Sequence, residues 1–249
     1  MEGSKSSKRT LALVLNRQDY REYDSLVSFY TRDYGKLTLM ARGTKKLKSK
    51  LAGHLEPLSL VDLMIISGKG RDYAGSAVVQ EAFANLKADL NCLYYAGLGL
   101  RWFNRLVGEN EADEDSFLLL LNYLYILDAQ GNEALSKEMG ELIFSFFAFK
   151  FMTLNGYRPT TSNCLICGRK ITPGKNYFNL KNGGLICADC FSVRPPGEDS
   201  ELLTISDNCV KLLRFMLDND LDLSQKLKID KKLIKEMAVL TRGFLNFRT

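Results

Sequence analysis

Short apolar segments separated by turn residues occupy the first third of the chain. The segments are rich in Val, Ile, Leu, Thr and Tyr, and two of the intervals contain Asp33-Tyr34-Gly35 and Ser67-Gly68-Lys69-Gly70. This composition and spacing are typical of β-strands connected by tight turns. The pattern predicts strands at Thr10–Leu15, Leu26–Tyr30, Leu37–Arg42, Leu58–Ile66 and Tyr73–Gln80.

Five short strands suit a small closed barrel, because closing the sheet leaves no exposed strand edge. We assign residues 1–82 to a five-stranded barrel of the OB-fold type, and an SH3-like barrel of similar length fits the same pattern. Residues 1–9 are polar and rich in Ser and Lys, so we expect them to be flexible.

A helical pattern replaces the strands after Gln80. Apolar residues recur at helical spacings in five regions, and residues 83–249 are therefore predicted to form a mainly α-helical domain. The chain as a whole is predicted to be an α+β protein. The helical regions are Phe83–Leu106, Phe117–Ala129, Leu135–Leu154 and, after residue 205, Ser206–Leu217 with Lys231–Phe247.

Two Cys-x-x-Cys pairs lie in a loop-like stretch, residues 155–197, that interrupts the helical pattern. Cys164 and Cys167 form the first pair, Cys187 and Cys190 form the second, and 19 residues separate them. This spacing is typical of a tetrahedral zinc site with four thiolate ligands. Four sulfurs leave no open coordination position, so we expect one structural Zn²⁺ that helps this stretch to fold.

Redox-active thiols and unliganded thiols are the alternatives for these four cysteines. A thioredoxin-like pair stands alone at a helix N-terminus after a strand. Here the two pairs bracket Tyr177–Cys187, whose Asn182-Gly183 turn predicts a hairpin. The other cysteines, Cys92 and Cys209, lie in helical patterns and are predicted to be core residues.

The net charge of +5 is concentrated in the first third of the chain. Residues 1–80 contain 14 Lys and Arg against 8 Asp and Glu, and residues 34–55 contain no acidic residue. A basic loop beside a barrel can bind phosphates, through contacts that weaken as salt rises. We predict a nucleic-acid surface, and an ordinary solvated loop is the alternative. The predicted contact residues are Arg32, Lys36, Arg42, Lys45, Lys46, Lys48, Lys50, Lys69 and Arg71.

Aromatic side chains close to these basic residues are candidates for stacking on bases, as in proteins that bind single strands. The candidates are Phe29, Tyr30 and Tyr34. The sequence leaves open which of them face outward.

Several classes of protein are disfavoured by the residues that are missing. The chain has no Walker-type phosphate loop and no dinucleotide-binding glycine pattern. His54 is the sole histidine, so a metalloprotease motif is excluded and most nucleophile–histidine pairs are too. The acidic cluster at residues 109–115 is predicted to be an exposed linker. The polar start has no signal-peptide pattern and no apolar stretch is long enough to span a membrane, so we expect a cytoplasmic protein.

These features together resemble the RecO family of bacterial DNA repair and recombination proteins. The resemblance is most specific in residues 10–65 and at the four cysteines. Lysines after Arg42-Gly43 depart from the commonest pattern of mixed Arg and Lys, and the two residue types bind phosphates differently. The segments that carry the resemblance are Leu13-Val14-Leu15, Asp24–Val27, Thr31–Lys36, Ala41-Arg42-Gly43 and Leu55–Leu58.

The resemblance implies an OB-fold, a helical C-terminal domain and, in many members, a zinc module. It also implies binding to single- and double-stranded DNA, annealing of complementary strands, and work with RecR to load RecA onto DNA coated by single-strand binding protein. On this basis we expect a non-catalytic protein that associates with the nucleoid during repair. An RNA-binding or protein-interaction scaffold and a thiol redox enzyme remain the alternatives from other classes.

Overall fold

A five-stranded closed barrel forms the first part of the computed structural model, which describes residues 6–68, 70–193 and 201–247. Around the barrel the strand order is β1-β2-β3-β5-β4, and β4 pairs with β1 to close it. The β3–β5 contact is parallel and the other pairs are antiparallel. This arrangement confirms the predicted OB-type barrel. The strands are β1 (Ser7–Tyr20), β2 (Asp24–Thr31), β3 (Gly35–Ala41), β4 (Leu60–Ile66) and β5 (Tyr73–Glu81).

The first strand is longer than the sequence pattern predicts. Ser7, Lys8 and Arg9 pair with Ile66, Ile65 and Met64 of β4, so the prediction that residues 1–9 are flexible is wrong for residues 7–9. Residues 1–5 lie outside the described part of the chain. The extension consists of polar residues, so the pattern of apolar positions does not mark it as a strand. It forms because β4 supplies hydrogen-bond partners for its backbone.

Helices follow directly after the barrel. The central one is α4, which is apolar on all sides and packs against α2, α3, α6 and α7, as expected for a helix at the middle of a bundle. No helix among the described residues is long and apolar enough to cross a membrane. The helices are α1 (Ala84–Ala88), α2 (Leu90–Leu106), α3 (Glu114–Gly131), α4 (Lys137–Leu154), α5 (Ala188–Ser192), α6 (Asp207–Asp218) and α7 (Lys231–Asn246).

The outer face of the barrel packs against these helices. Leu13 and Tyr30 point out of the barrel and are buried in the core of the helical domain. The ring of Tyr30 lies edge-on to Phe103 of α2, with centroids 4.7 Å apart. Barrel and helices therefore share a continuous apolar contact.

A small sheet with the order β7-β6-β8 carries the cysteine pairs. The predicted hairpin is present as β6 (Asn176–Asn179) and β7 (Gly184–Cys187), whereas β8 (Leu202–Ile205) was not predicted. Residues 194–197 of the predicted module lie outside the described residues. Cys92 and Cys209 are fully buried in the helical core, as the sequence predicts.

Candidate nucleic-acid interface and metal centre

One end of the barrel gathers most of the predicted basic residues. Strand pairing brings three connections together there: the β1–β2 turn, the start of the β3–β4 loop and the β4–β5 loop. The backbone N–H of Lys45 donates to the carbonyl of Tyr23 at 3.1 Å and ties the first two together. We call the exposed cations of these connections the basic rim. Its members are Arg21, Arg42, Lys45, Lys46, Lys48, Lys50 and Arg71.

The loop that carries the rim lysines is held by its own local structure. Gly43 has φ +67°, a conformation that favours glycine, and its N–H donates to the Asp24 carboxylate at 2.9 Å. Buried Thr44 shares a hydrogen bond of 2.7 Å with Ser25. These contacts fix the first residues of the loop, and Lys48 and Lys50 further along it are exposed.

Tyrosine rings accompany the rim cations. The Arg42 guanidinium lies 4.6 Å from the centroid of the Tyr73 ring, and Lys46 Nζ lies 5.6 Å from that of Tyr23, which is 47% exposed. Arg21 lies over the Tyr20 ring at 5.2 Å. Cations and accessible aromatic faces are the two components of single-strand binding surfaces. These tyrosines are not among the contacts predicted from sequence, although the run Tyr20-Arg21-Glu22-Tyr23 interleaves aromatic and charged side chains.

A cleft of about 480 Å³ opens between the β1–β2 turn and the loop. Arg21, Arg42 and Lys46 line it together with Tyr23. Its acidic side chains are Glu22 and Asp24, and Asp24 also accepts the hydrogen bond from Gly43. Three cations against two carboxylates give the lining a net positive charge.

Two predicted contact residues, Arg32 and Lys36, lie at the opposite end of the barrel. The Arg32 Nε donates to Glu114 of α3 at 2.9 Å, and Lys36 Nζ lies 3.3 Å from a Glu109 oxygen. Lys36 also donates to the carbonyl of Asn104 at 3.2 Å. Both cations therefore pair with carboxylates of the helical domain and lie apart from the basic rim, and a contact of either with DNA stays a prediction.

The acidic cluster that supplies these carboxylates is exposed, as the sequence predicts, and it also contacts the barrel. The backbone N–H of Asn110 donates to the Lys36 carbonyl at 3.0 Å, and Gly35 lies directly against the Glu111 backbone. A Cβ at Gly35 would approach the Glu111 carbonyl oxygen to 2.2 Å. The β2–β3 turn therefore docks closely on the segment between α2 and α3.

Two of the three predicted stacking residues are buried, and the third stays a prediction. Phe29 is fully buried inside the barrel, and Tyr30 is buried against the helices, so neither can stack on a base. Burial also raises the pKa of Tyr30 to about 12. Tyr34 is half-buried near the opposite end, where Lys8 Nζ lies 4.9 Å from its ring centroid. Alternation in β2 explains the error, because aromatic residues on either face of that strand are covered.

The remaining predicted contacts have mixed outcomes. Arg71 is exposed in the β4–β5 loop, and Lys69 lies outside the described residues. Lys45 Nζ is 3.4 Å from Asp19, an exposed ion pair that water and salt weaken. His54 accepts a hydrogen bond of 3.4 Å from the Val79 N–H. This contact within the barrel is a structural role, as expected for the sole histidine of a chain.

The four cysteines of the two pairs meet at one point. The sulfurs of Cys164, Cys167, Cys187 and Cys190 all lie within 4.8 Å of one another, and Cys167 and Cys187 are 3.9 Å apart. Sulfurs bound at about 2.3 Å to a tetrahedral zinc would be about 3.8 Å apart. The spacing fits one metal ion with four thiolate ligands.

Backbone groups around the sulfurs favour the thiolate form. The N–H groups of Ile166 and Cys187 point at Cys164 Sγ at 3.5 and 3.4 Å. Hydrogen bonding from Arg169 lowers the pKa of Cys167 to about 6. Burial has the opposite effect on Cys190 and raises its pKa to about 12. A metal cation bound between the sulfurs would supply the positive charge that ionises this last thiol.

Comparisons with known proteins agree with this arrangement. The family model for the N-terminal part of recombination protein O matches residues 6–80, and the model for its C-terminal part matches residues 87–249. Among curated relatives, the DNA repair protein RecO of Roseiflexus sp. is 31% identical, over 95% of this chain and 79% of its own length. Those of Desulforamulus reducens and Alkaliphilus metalliredigens are each 28% identical, covering 95% and 97% of this chain and 87% and 96% of their own lengths. The chain belongs to the RecO family of DNA repair proteins.

Proposed function

We propose that the protein is a non-catalytic recombination mediator. In this role it binds single- and double-stranded DNA, anneals complementary strands and, with RecR, helps to load RecA onto DNA coated by single-strand binding protein. It acts in the cytoplasm, at the nucleoid. Family membership supports the role in DNA repair, and the basic rim supports direct contact with DNA.

The basic rim is the observation that carries this proposal. Its exposed cations lie on one end of an OB-type barrel, where the β1–β2 and β4–β5 loops of such barrels contact oligonucleotides. Lysine contacts to phosphates do not distinguish one DNA sequence from another. A protein that binds the backbone in this way leaves base edges free, so a second strand can pair with the one that is held.

The metal at the four cysteines is proposed to be one Zn²⁺. When bound, it cross-links the turn after Cys164 to the hairpin that ends at Cys187. All four positions are taken by sulfur, so the ion has no site for substrate and its contribution is to stability. Tyr177 and Phe191, whose rings stack with centroids 3.6 Å apart, pack beside this cross-link.

Strand annealing in the presence of single-strand binding protein is the experiment that tests the proposal. Two complementary labelled strands are coated with that protein, and duplex formation is followed by fluorescence with and without the mediator. We expect faster annealing, and a variant with Arg42, Lys45 and Lys46 changed to Ala should lose most of the acceleration. No acceleration by wild type, or a preference for RNA over DNA strands, would overturn the proposal in favour of a scaffold.

A further inference from the structure

A second cleft, of about 510 Å³, lies between the outer face of the barrel and helix α2. It shares no lining residue with the cleft at the basic rim. We propose that this second cleft binds an unstacked nucleobase of single-stranded DNA. The inference rests on the proposed function. It adds a second site, whose affinity depends on the presence of a base, to the basic rim that contacts phosphates.

A bulge in β1 builds the barrel wall of the cleft. The pairing with β2 shifts between Val14 and Asn16, which leaves Leu15 without a partner residue. Neighbouring residues of a regular strand point to opposite faces, yet Leu15 and Asn16 both line the cleft. Bulges commonly re-aim side chains in this way next to functional sites.

The lining combines an apolar floor with free hydrogen-bonding groups. Leu58 and Leu100 are buried beneath the cleft and offer an apolar surface. The side-chain amides of Asn16 and Gln18 are exposed and make no hydrogen bond to any residue that the structure describes. A nucleobase has flat apolar faces and an edge of donors and acceptors, so it matches both features. The volume lies within the range of small-ligand sites, roughly 300–1,000 Å³.

The charges around the cleft suit a nucleotide. Glu109 is paired with Lys36 at 3.3 Å, so its negative charge is compensated. Arg101 of α2 is exposed and has no ion pair with a described residue. The uncompensated charge is therefore positive, and Arg101 can contact the phosphate that is attached to the bound base.

Gly97 of α2 provides a direct test, because it lines the cleft and a Cβ added there would meet no atom within 4 Å. Gly97→Phe adds a ring on this open side, and Gly97→Ala is the matched control. Both changes replace a helical glycine with a better helix former. Thermal unfolding should show that both variants remain as stable as wild type.

The experiment compares three fluorescent probes of one length: an oligothymidylate, a strand with abasic residues in place of the thymidines, and a duplex. Wild type and Gly97→Ala should prefer the oligothymidylate over the abasic strand by at least about tenfold, the effect expected of one or two hydrogen bonds to a base edge. Gly97→Phe should lose this part of the preference, should keep only the part that stacking on Tyr23 supplies, and should keep its affinity for the duplex.

Two outcomes would overturn the cleft as a base site while leaving the proposed function intact. One is a base preference in Gly97→Phe as large as that of wild type. The other is equal affinity of the wild-type protein for all three probes. That result would favour an acidic peptide, and not a nucleobase, as the ligand of the cleft. Failure of wild type to bind any probe would overturn the proposed function as well.

Discussion

Arg32 of the barrel and Glu114 of helix α3 form a charge-assisted pair, with Arg32 Nε 2.9 Å from a Glu114 oxygen. The pair lies beside the Lys36–Glu109 contact, where Lys36 Nζ and a Glu109 oxygen are 3.3 Å apart. Two cations that the sequence assigns to DNA are thus used to dock the barrel on the helical domain. Position in the fold, and not charge alone, decides which basic residues are available to a phosphate.

Replacing Arg32 by Ala should leave the affinity for a single-stranded oligonucleotide within about twofold of wild type. Arg32 is 47% exposed at its side chain, so its ion pair should contribute no more than about 1 kcal/mol to the free energy of unfolding. Fluorescence anisotropy titrations and urea unfolding measure the two quantities. A large loss of affinity in a variant that is still folded would contradict the assignment of Arg32 to the domain interface.

Aromatic residues of the barrel should separate into a structural and a binding class. Phe29→Ala empties a fully buried site and should lower the free energy of unfolding by about 3–5 kcal/mol. Tyr23→Ala removes a half-exposed ring at the basic rim and should change stability by less than about 0.5 kcal/mol. The same change should weaken single-strand binding by about tenfold. Tyr23→Phe is the matched control and should bind as wild type, because stacking needs only the ring.

The fold was predictable from sequence to a large extent because its signals are local. Strand composition, helical spacing and the spacing of Cys164 to Cys190 each depend on residues that are near neighbours in the chain. The site was less predictable because exposure depends on what packs across each strand. Tyr30 and Tyr23 are both tyrosines of the β1–β2 region, and only the position of the helices makes one buried and the other accessible.

Metal removal should destabilise the protein. Cys190→Ser, or treatment with a strong chelator, should remove one metal ion per chain. The melting temperature should fall by more than about 5 °C, since each kcal/mol corresponds to about 2–4 °C for a chain of this size. Elemental analysis and calorimetry measure the two effects. Cys92→Ala is the control that should retain the metal, and a wild-type protein that holds none after purification in zinc would contradict the assignment.

Alkaline pH should weaken the contact between barrel and helices through Tyr30. Burial raises the pKa of Tyr30 to about 12 in the folded protein, above the ordinary value of 10.0 in the unfolded chain. The unfolded state therefore loses its proton first, so this contribution is present below pH 10 and is lost as pH rises from 10 to 12. Urea unfolding of wild type between pH 9 and 11 should show a steeper loss of stability than Tyr30→Phe, and equal slopes would contradict the burial of this hydroxyl.

The salt dependence of oligonucleotide binding tests the basic rim most directly. Each phosphate contact contributes about 0.7 to the slope of log affinity against log salt for a single strand. Changing Arg42, Lys45 and Lys46 together to Ala should therefore lower the slope by about 2, whereas Arg32→Ala should keep the wild-type slope. An unchanged slope in the triple variant, or a lowered slope in Arg32→Ala, would contradict the basic rim as the DNA contact.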